Sequence, residues 1–171
     1  MKFLPFENYI LSTSYTIEEA QRRLLENLEP ERSWTYFMRN DTKPYKGKIT
    51  ENRFSISRII RYRNSFLPVI TGKFSTKKGQ TEINIRMRLH LFTLIFMSFW
   101  LGMVGIFCII LIVSTLINVG HLFKQEFSPM VLIPFGMFIF GYSLITVAFK
   151  AESNKSKKFL AQLFENNIAG Y

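Results

Sequence analysis

Arginine and lysine define the chemistry open to this chain. Arg53, Arg61, Arg63, Arg86 and Arg88, with Lys46, Lys48, Lys73, Lys77 and Lys78 nearby, fall in one stretch, and residues 33–90 carry the whole formal net charge of +10. Tyr45, Tyr62 and Phe74 are interleaved with them. A guanidinium is a planar fork that matches phosphate or carboxylate, and aromatic rings offer faces on which bases stack. The pattern predicts an anion site for a nucleotide, a single-stranded oligonucleotide or a lipid headgroup, with phosphate contacts supplying the affinity. Arg53, Arg61, Arg63, Lys73, Arg86 and Arg88 are the candidate ligand-binding residues. The competing reading is an ordinary basic surface beside a membrane, and Lys77 and Lys78 read as solvated turn residues.

Catalytic and metal chemistry lack the residues they need. The chain holds no GxSxG, HExxH, Walker loop or paired-cysteine motif, and Gly72-Lys73 lies in a strand pattern with no glycine-rich loop before it. Asp41, Glu51 and Glu82 are isolated carboxylates, and His90 and His121 stand at opposite ends of a long apolar run. The single cysteine, Cys108, excludes an intramolecular disulfide and a two-cysteine zinc site, and reads as a packing or lipid-facing residue. The expectation is no enzyme, no cofactor and no metal.

Two uncharged runs, Leu91 to Val119 and Pro129 to Phe149, surround a short connection. About 20 apolar helical residues cross a bilayer core, so the sequence predicts a transmembrane hairpin. Arg86 and Arg88 precede the first run, and Lys150, Lys155, Lys157 and Lys158 follow the second. Positive flanks stay inside, which places both termini in the cytoplasm; the expected location is the inner (cytoplasmic) membrane, with the chain multi-pass. Within the first run Ser98, Gly102 and Gly105 form a small-residue stripe, and Ser114 and Asn118 add polarity near its far end. These five are the candidate pore or helix-packing positions.

The remaining segments must position the cations. Thr16 and Glu19 have capping-box spacing, and Ile17, Ala20, Leu24, Leu25 and Leu28 recur on one face of a predicted helix that Pro30 closes. A β meander follows: SWTYFMR, YKGKIT, RFSISRIIRY, PVITGKF and TEINIRMRL, separated by turn residues. In the last strand Ile83, Ile85, Met87 and Leu89 share one face, while Glu82, Asn84, Arg86, Arg88 and His90 share the other. In the third, Phe54, Ile56, Ile60 and Tyr62 point to the core and Arg53, Ser55, Ser57, Arg61 and Arg63 away from it. Arg58 falls on the apolar side, at a sheet edge or beside a carboxylate. KKFLAQLFENNI reads as a short amphipathic helix, lying on the inner membrane surface or packing beneath the bundle. The expected fold is thus α+β: residues 1–90 form a basic cytoplasmic antiparallel domain with an N-terminal helix, residues 91–149 the hairpin, and residues 150–171 a basic cytoplasmic tail.

Size, layout and charge placement over the whole chain, with RYRNSFLPVITGKF from Arg61 to Phe74 as the candidate signature, resemble the two-span membrane effectors of bacterial antiphage systems, most nearly the Hailong membrane effector. The resemblance implies a homo-oligomeric, anion-conducting channel held shut by a DNA oligomer, which a partner enzyme would supply, and released when infection removes it. It transfers no ligand residue. The direct passage from Leu89 into the run at Leu91, with no flexible linker, favours coupling between domain and span over passive anchoring. The alternative is a non-conducting membrane adaptor whose basic domain docks on anionic lipid or a protein partner.

Overall fold

The computed structural model describes residues 4–30, 43–60, 62, 64–77, 79–117 and 129–164. In chain order the elements are β1 (Phe6–Thr13), α1 (Ile17–Glu26), β2 (Leu28–Pro30), β3 (Tyr45–Thr50), β4 (Arg53–Arg58), β5 (Pro68–Lys77), β6 (Gln80–Leu89) and α2 (Leu91–Ile117). A 3-10 turn at Pro129–Leu132 then leads into α3 (Ile133–Leu163). The protein is α+β, and its contacts divide it into two compact units, Met1–His90 with Ala148–Tyr171, and Leu91–Val147.

The first unit is a six-stranded sheet in the order β1-β6-β5-β4-β3-β2. Tight two-residue turns build its centre. Thr50 pairs with Arg53 around Glu51-Asn52, where Glu51 takes φ 48°, and Lys77 pairs with Gln80 around a turn that holds Gly79 at φ 78°. Positive φ at such positions matches the right-handed twist of the flanking strands. The sheet is mixed, not the expected antiparallel meander, because β2 runs parallel to β3. Since β1 and β2 lie on opposite edges, α1 is the crossover between them, as a parallel connection requires. The N-terminal cap forms as expected, with Thr16 Oγ1 accepting from the Glu19 amide at 3.2 Å. Ala20, Leu24 and Leu28 are buried, but the helix stops at Glu26, which leaves Leu25 half exposed and gives Leu28 to β2. Of the predicted strands, SWTYFMR lies outside the described residues.

Alternation along every central strand buries one face of the sheet. Ile83, Ile85, Met87 and Leu89 point inward as predicted, joined by Phe54, Ile56, Ile70, Phe74 and Tyr45. The Phe54 and Phe74 rings meet at 5.3 Å. Gly72 lies opposite Phe54, and a Cβ there would stand 2.1 Å from that ring, so only glycine lets the ring lie across β5. The predicted third strand is shorter than expected: it ends at Arg58, and Tyr62, outside it, is about half exposed. The cover over the buried face includes the end of α3, whose Phe149, Leu160 and Phe164 are buried. The short amphipathic helix expected at the C-terminus is therefore no separate element; α3 continues unbroken from its apolar part to Leu163. Ile168 lies outside the described residues.

In the second unit α2 and the first part of α3 are long and apolar enough to cross a membrane, and most of their large side chains are exposed, as with Phe92 and Phe99 on α2. Trp100 lies against Gly141, where a Cβ would come within 2.4 Å of the indole, and Phe138 covers Gly105. Val104, Cys108 and Ile145 are buried. The small-residue stripe is thus divided: Gly105 meets α3, whereas Ser98 and Gly102 are exposed, with nothing within 4 Å of a Cβ on Gly102, and Ser114, near the far end, is exposed too. Asn118 lies outside the described residues. Gly141→Val is therefore expected to destabilise the helix pair by about 1–3 kcal/mol through overpacking. Gly136→Val, where nothing lies within 4 Å of a Cβ, should leave it unchanged, and melting of the two variants in detergent checks the contrast.

Candidate functional site: the open face of the sheet

Strand register determines which side chains share the uncovered face. One cross-strand row reads Lys48, Ser55, Thr71 and Arg86 from β3 to β6, and the next reads Thr50, Arg53, Lys73 and Asn84. A third, on the other side of the first, reads Lys46, Ser57, Val69 and Arg88, with Phe6 beyond on β1. Long cationic side chains around short hydroxyl side chains leave a trough of about 760 Å³, lined by Lys48, Arg53, Lys73 and Arg86 with Thr50, Ser55, Thr71 and Asn84 among the neutral groups. Among the described residues no carboxylate lines it. Glu82 lies one row farther along and faces Lys77 at 3.8 Å.

Arg53, Lys73, Arg86 and Arg88, four of the six residues predicted to bind ligand, thus share one face, and three of them line the trough. Arg61 and Arg63 lie outside the described residues. Lys48 belongs with the set although its weight was not visible in the linear sequence; the alternation in YKGKIT, which puts both lysines of that strand on one side, was the available signal. The expected interleaving of aromatics is overturned. Tyr45 and Phe74 belong to the buried face, where Tyr45 stacks on Phe159 at 4.4 Å, and the Tyr62 hydroxyl donates to Glu152. Phe6 is the aromatic on the open face, 38% exposed beside Arg88.

A second concentration of charge lies under the sheet, between its buried face and the end of α3. Glu152 accepts from Arg58 at 2.7 Å, from Tyr62 at 2.7 Å and from Lys155 at 2.9 Å. That resolves Arg58: it is on the apolar side because a carboxylate waits there. Glu7, on β1, accepts from Lys150 at 2.5 Å and Ser153 at 3.0 Å, and pairs with Lys157. Burial alone would raise both carboxyls, but for Glu7 the hydrogen bonds from Lys150, Lys157 and Ser153, and for Glu152 those from Lys155, Tyr62 and Arg58, outweigh it and hold both below the usual range. The Tyr45 phenol is pushed up by burial, with its hydroxyl donating to Ser156 at 3.2 Å. These groups are saturated by one another and clamp helix to sheet. His90 stands apart from them, His121 lies outside the described residues, and no cluster of metal-ligating side chains occurs among the described residues.

The trough is a cation-lined surface on an α+β protein that also carries two helices of membrane-crossing length. Comparison with known proteins adds no relative: no family model, curated protein or solved structure matches the chain.

Proposed function

We propose that this chain is a membrane-embedded effector. Its basic sheet face binds a phosphate-bearing anion such as a nucleotide or short oligonucleotide. Its apolar hairpin, assembled as a homo-oligomer in the inner membrane, forms an anion-conducting pore controlled by that ligand. The observation that carries the reading is the register pair Arg53 and Lys73, two cations directly opposite each other on neighbouring strands. Like charges so placed destabilise a sheet, and an anion between them removes the penalty. Lys48 and Arg86 flank the pair, so an incoming phosphate meets several donors at once.

Control of a pore requires that the ligand bind one state of the protein better than another. The sheet runs into α2 with only His90 between them, and α3 belongs both to the hairpin and to the cover of the sheet. Two chain connections therefore carry any change in the sheet into the helices. Ser98 and Gly102, exposed on α2, are available to a neighbouring copy, and small residues permit close helix approach. With the sheet in the cytoplasm, the ligand would come from a cytosolic partner enzyme, as in an antiphage system. Planar-bilayer recording of the purified protein tests the reading. A current that changes when oligothymidylate is added on the sheet side is the expected result, whereas a protein that binds the oligomer and passes no current is an adaptor.

A further inference from the structure

The cations of the open face are arranged as a closed figure. Lys46 and Lys48 succeed each other on β3, and Arg88 and Arg86 on β6. These two columns stand three strand spacings apart, about 14 Å, and Arg53 and Lys73 close one end between them. The enclosed floor is made of Ser55, Ser57, Val69 and Thr71. Among the described residues, the side chains bordering this horseshoe are acidic or neutral. Glu29 is the neighbour of Lys46 on β2, Glu82 lies beyond Lys73, and Phe6, Asn8 and Ile10 occupy the open face of β1 beyond β6.

Resting on the anion-binding reading above, we infer that the trough takes a compact polyanion, a small molecule bearing two to four phosphoryl groups on opposite sides of its body. An extended nucleic-acid strand needs a track of cations that continues in the direction of the chain. Among the described residues the side chains beyond the horseshoe are carboxylates, apolar groups or the neutral Asn8, so phosphates outside it would find no continuing track of cations. Inside it the two columns and the closing pair present donors from three sides, the arrangement that suits charges distributed around a small body. Its closed end, lined by Lys48, Arg53, Lys73 and Arg86, holds about 760 Å³, the volume of a small-molecule site. Short hydroxyl side chains on the floor leave room for the body of the ligand and supply hydrogen bonds to it.

The test uses the full chain in detergent, titrated with oligothymidylates from two to sixteen nucleotides and with myo-inositol hexakisphosphate as competitor. Affinity is expected to rise to about five nucleotides and then level off, with a salt slope that settles near roughly −3, the value for about four phosphate contacts on a single strand. Inositol hexakisphosphate should displace the oligomers. Thr71→Trp, which fills the floor without altering charge, should weaken inositol hexakisphosphate at least tenfold while melting as the parent does. Affinity that keeps climbing through sixteen nucleotides would overturn the compact ligand and leave the anion site standing, as would a folded Thr71→Trp protein that binds inositol hexakisphosphate unchanged. Absence of binding by every probe would remove the anion site itself. The length series needs no substitution, so it decides the matter even where the tryptophan variant does not fold.

Discussion

Lys73→Glu is expected to make the ligand-free protein more heat-stable while lowering its affinity for phosphate ligands by a factor on the order of 100. The two effects have one cause. Lys73 and Arg53 are register partners on neighbouring strands of the open face. Replacing the lysine by a carboxylate turns a repulsive cross-strand pair into an attractive one, and for exposed groups screened by water the gain is a few tenths of a kcal/mol. Binding moves the other way, because a charge-assisted hydrogen bond of about 1.5–3 kcal/mol is replaced by repulsion between the new carboxylate and the ligand. Both changes should shrink as salt is raised. A surface that is basic only to orient the protein in a membrane predicts the gain in stability but not the loss of affinity, so a folded Lys73→Glu protein with unaltered oligothymidylate affinity assigns these cations to topology alone. Melting without ligand and titration with oligothymidylate, done at two ionic strengths, give the answer.

What the chain discloses about this face depends on how cleanly each strand alternates. β6 reads directly, since its apolar and polar residues exchange places at every step from Glu82 to Leu89. β1 does not, because its core-facing positions include Glu7 and Thr13 while Phe6 and Ile10 are on the outer face. A buried carboxylate inverts the expected pattern, and only its partners Lys150, Ser153 and Lys157, more than 140 residues away, explain it. The same distance hid the role of the end of α3. Its buried stripe holds Glu152, Ser153 and Ser156, polar residues that in isolation mark a solvated surface. Three of the four lysines read as topological flanks, Lys150, Lys155 and Lys157, pair with Glu7 or Glu152. The tyrosines show the complementary limit: aromatic content near arginines was visible, but which side of the sheet each ring takes follows from register, and register belongs to pairs of strands. The cation set of the trough was accordingly legible in kind, while its horseshoe arrangement emerged only once β3 to β6 were aligned.

The clamps beneath the sheet set the strongest expectation for stability. Glu7→Gln should destabilise the attachment of the end of α3 to the sheet by about 3–5 kcal/mol, since removing one member of a buried ion cluster leaves the others charged without its counter-charge. Glu7 is only 9% exposed, and Lys157, at 12% side-chain exposure, is hardly better placed to recover solvation by water. That is a large share of the 5–15 kcal/mol by which a domain of ordinary stability is held folded. The same clamps give a definite sign to the effect of acid. Glu7 and Glu152 are held below the ordinary carboxylate range in the folded protein, so their contribution is fully present above the unfolded value near 4.3 and disappears as pH falls through the lower folded values. Amide hydrogen exchange over residues 148–164 reads both experiments. Wild type should be protected at neutral pH and lose protection as the pH drops below about 4, and Glu7→Gln should exchange faster at pH 7 and respond less to acid, with the Glu152 clamp still titrating. If exchange in Glu7→Gln matches wild type at neutral pH, the apolar contacts of Phe149, Leu160 and Phe164 hold the helix by themselves. The ion clusters then serve to align the helix, and a ligand-driven change in the sheet would have to reach the hairpin through β6 and His90.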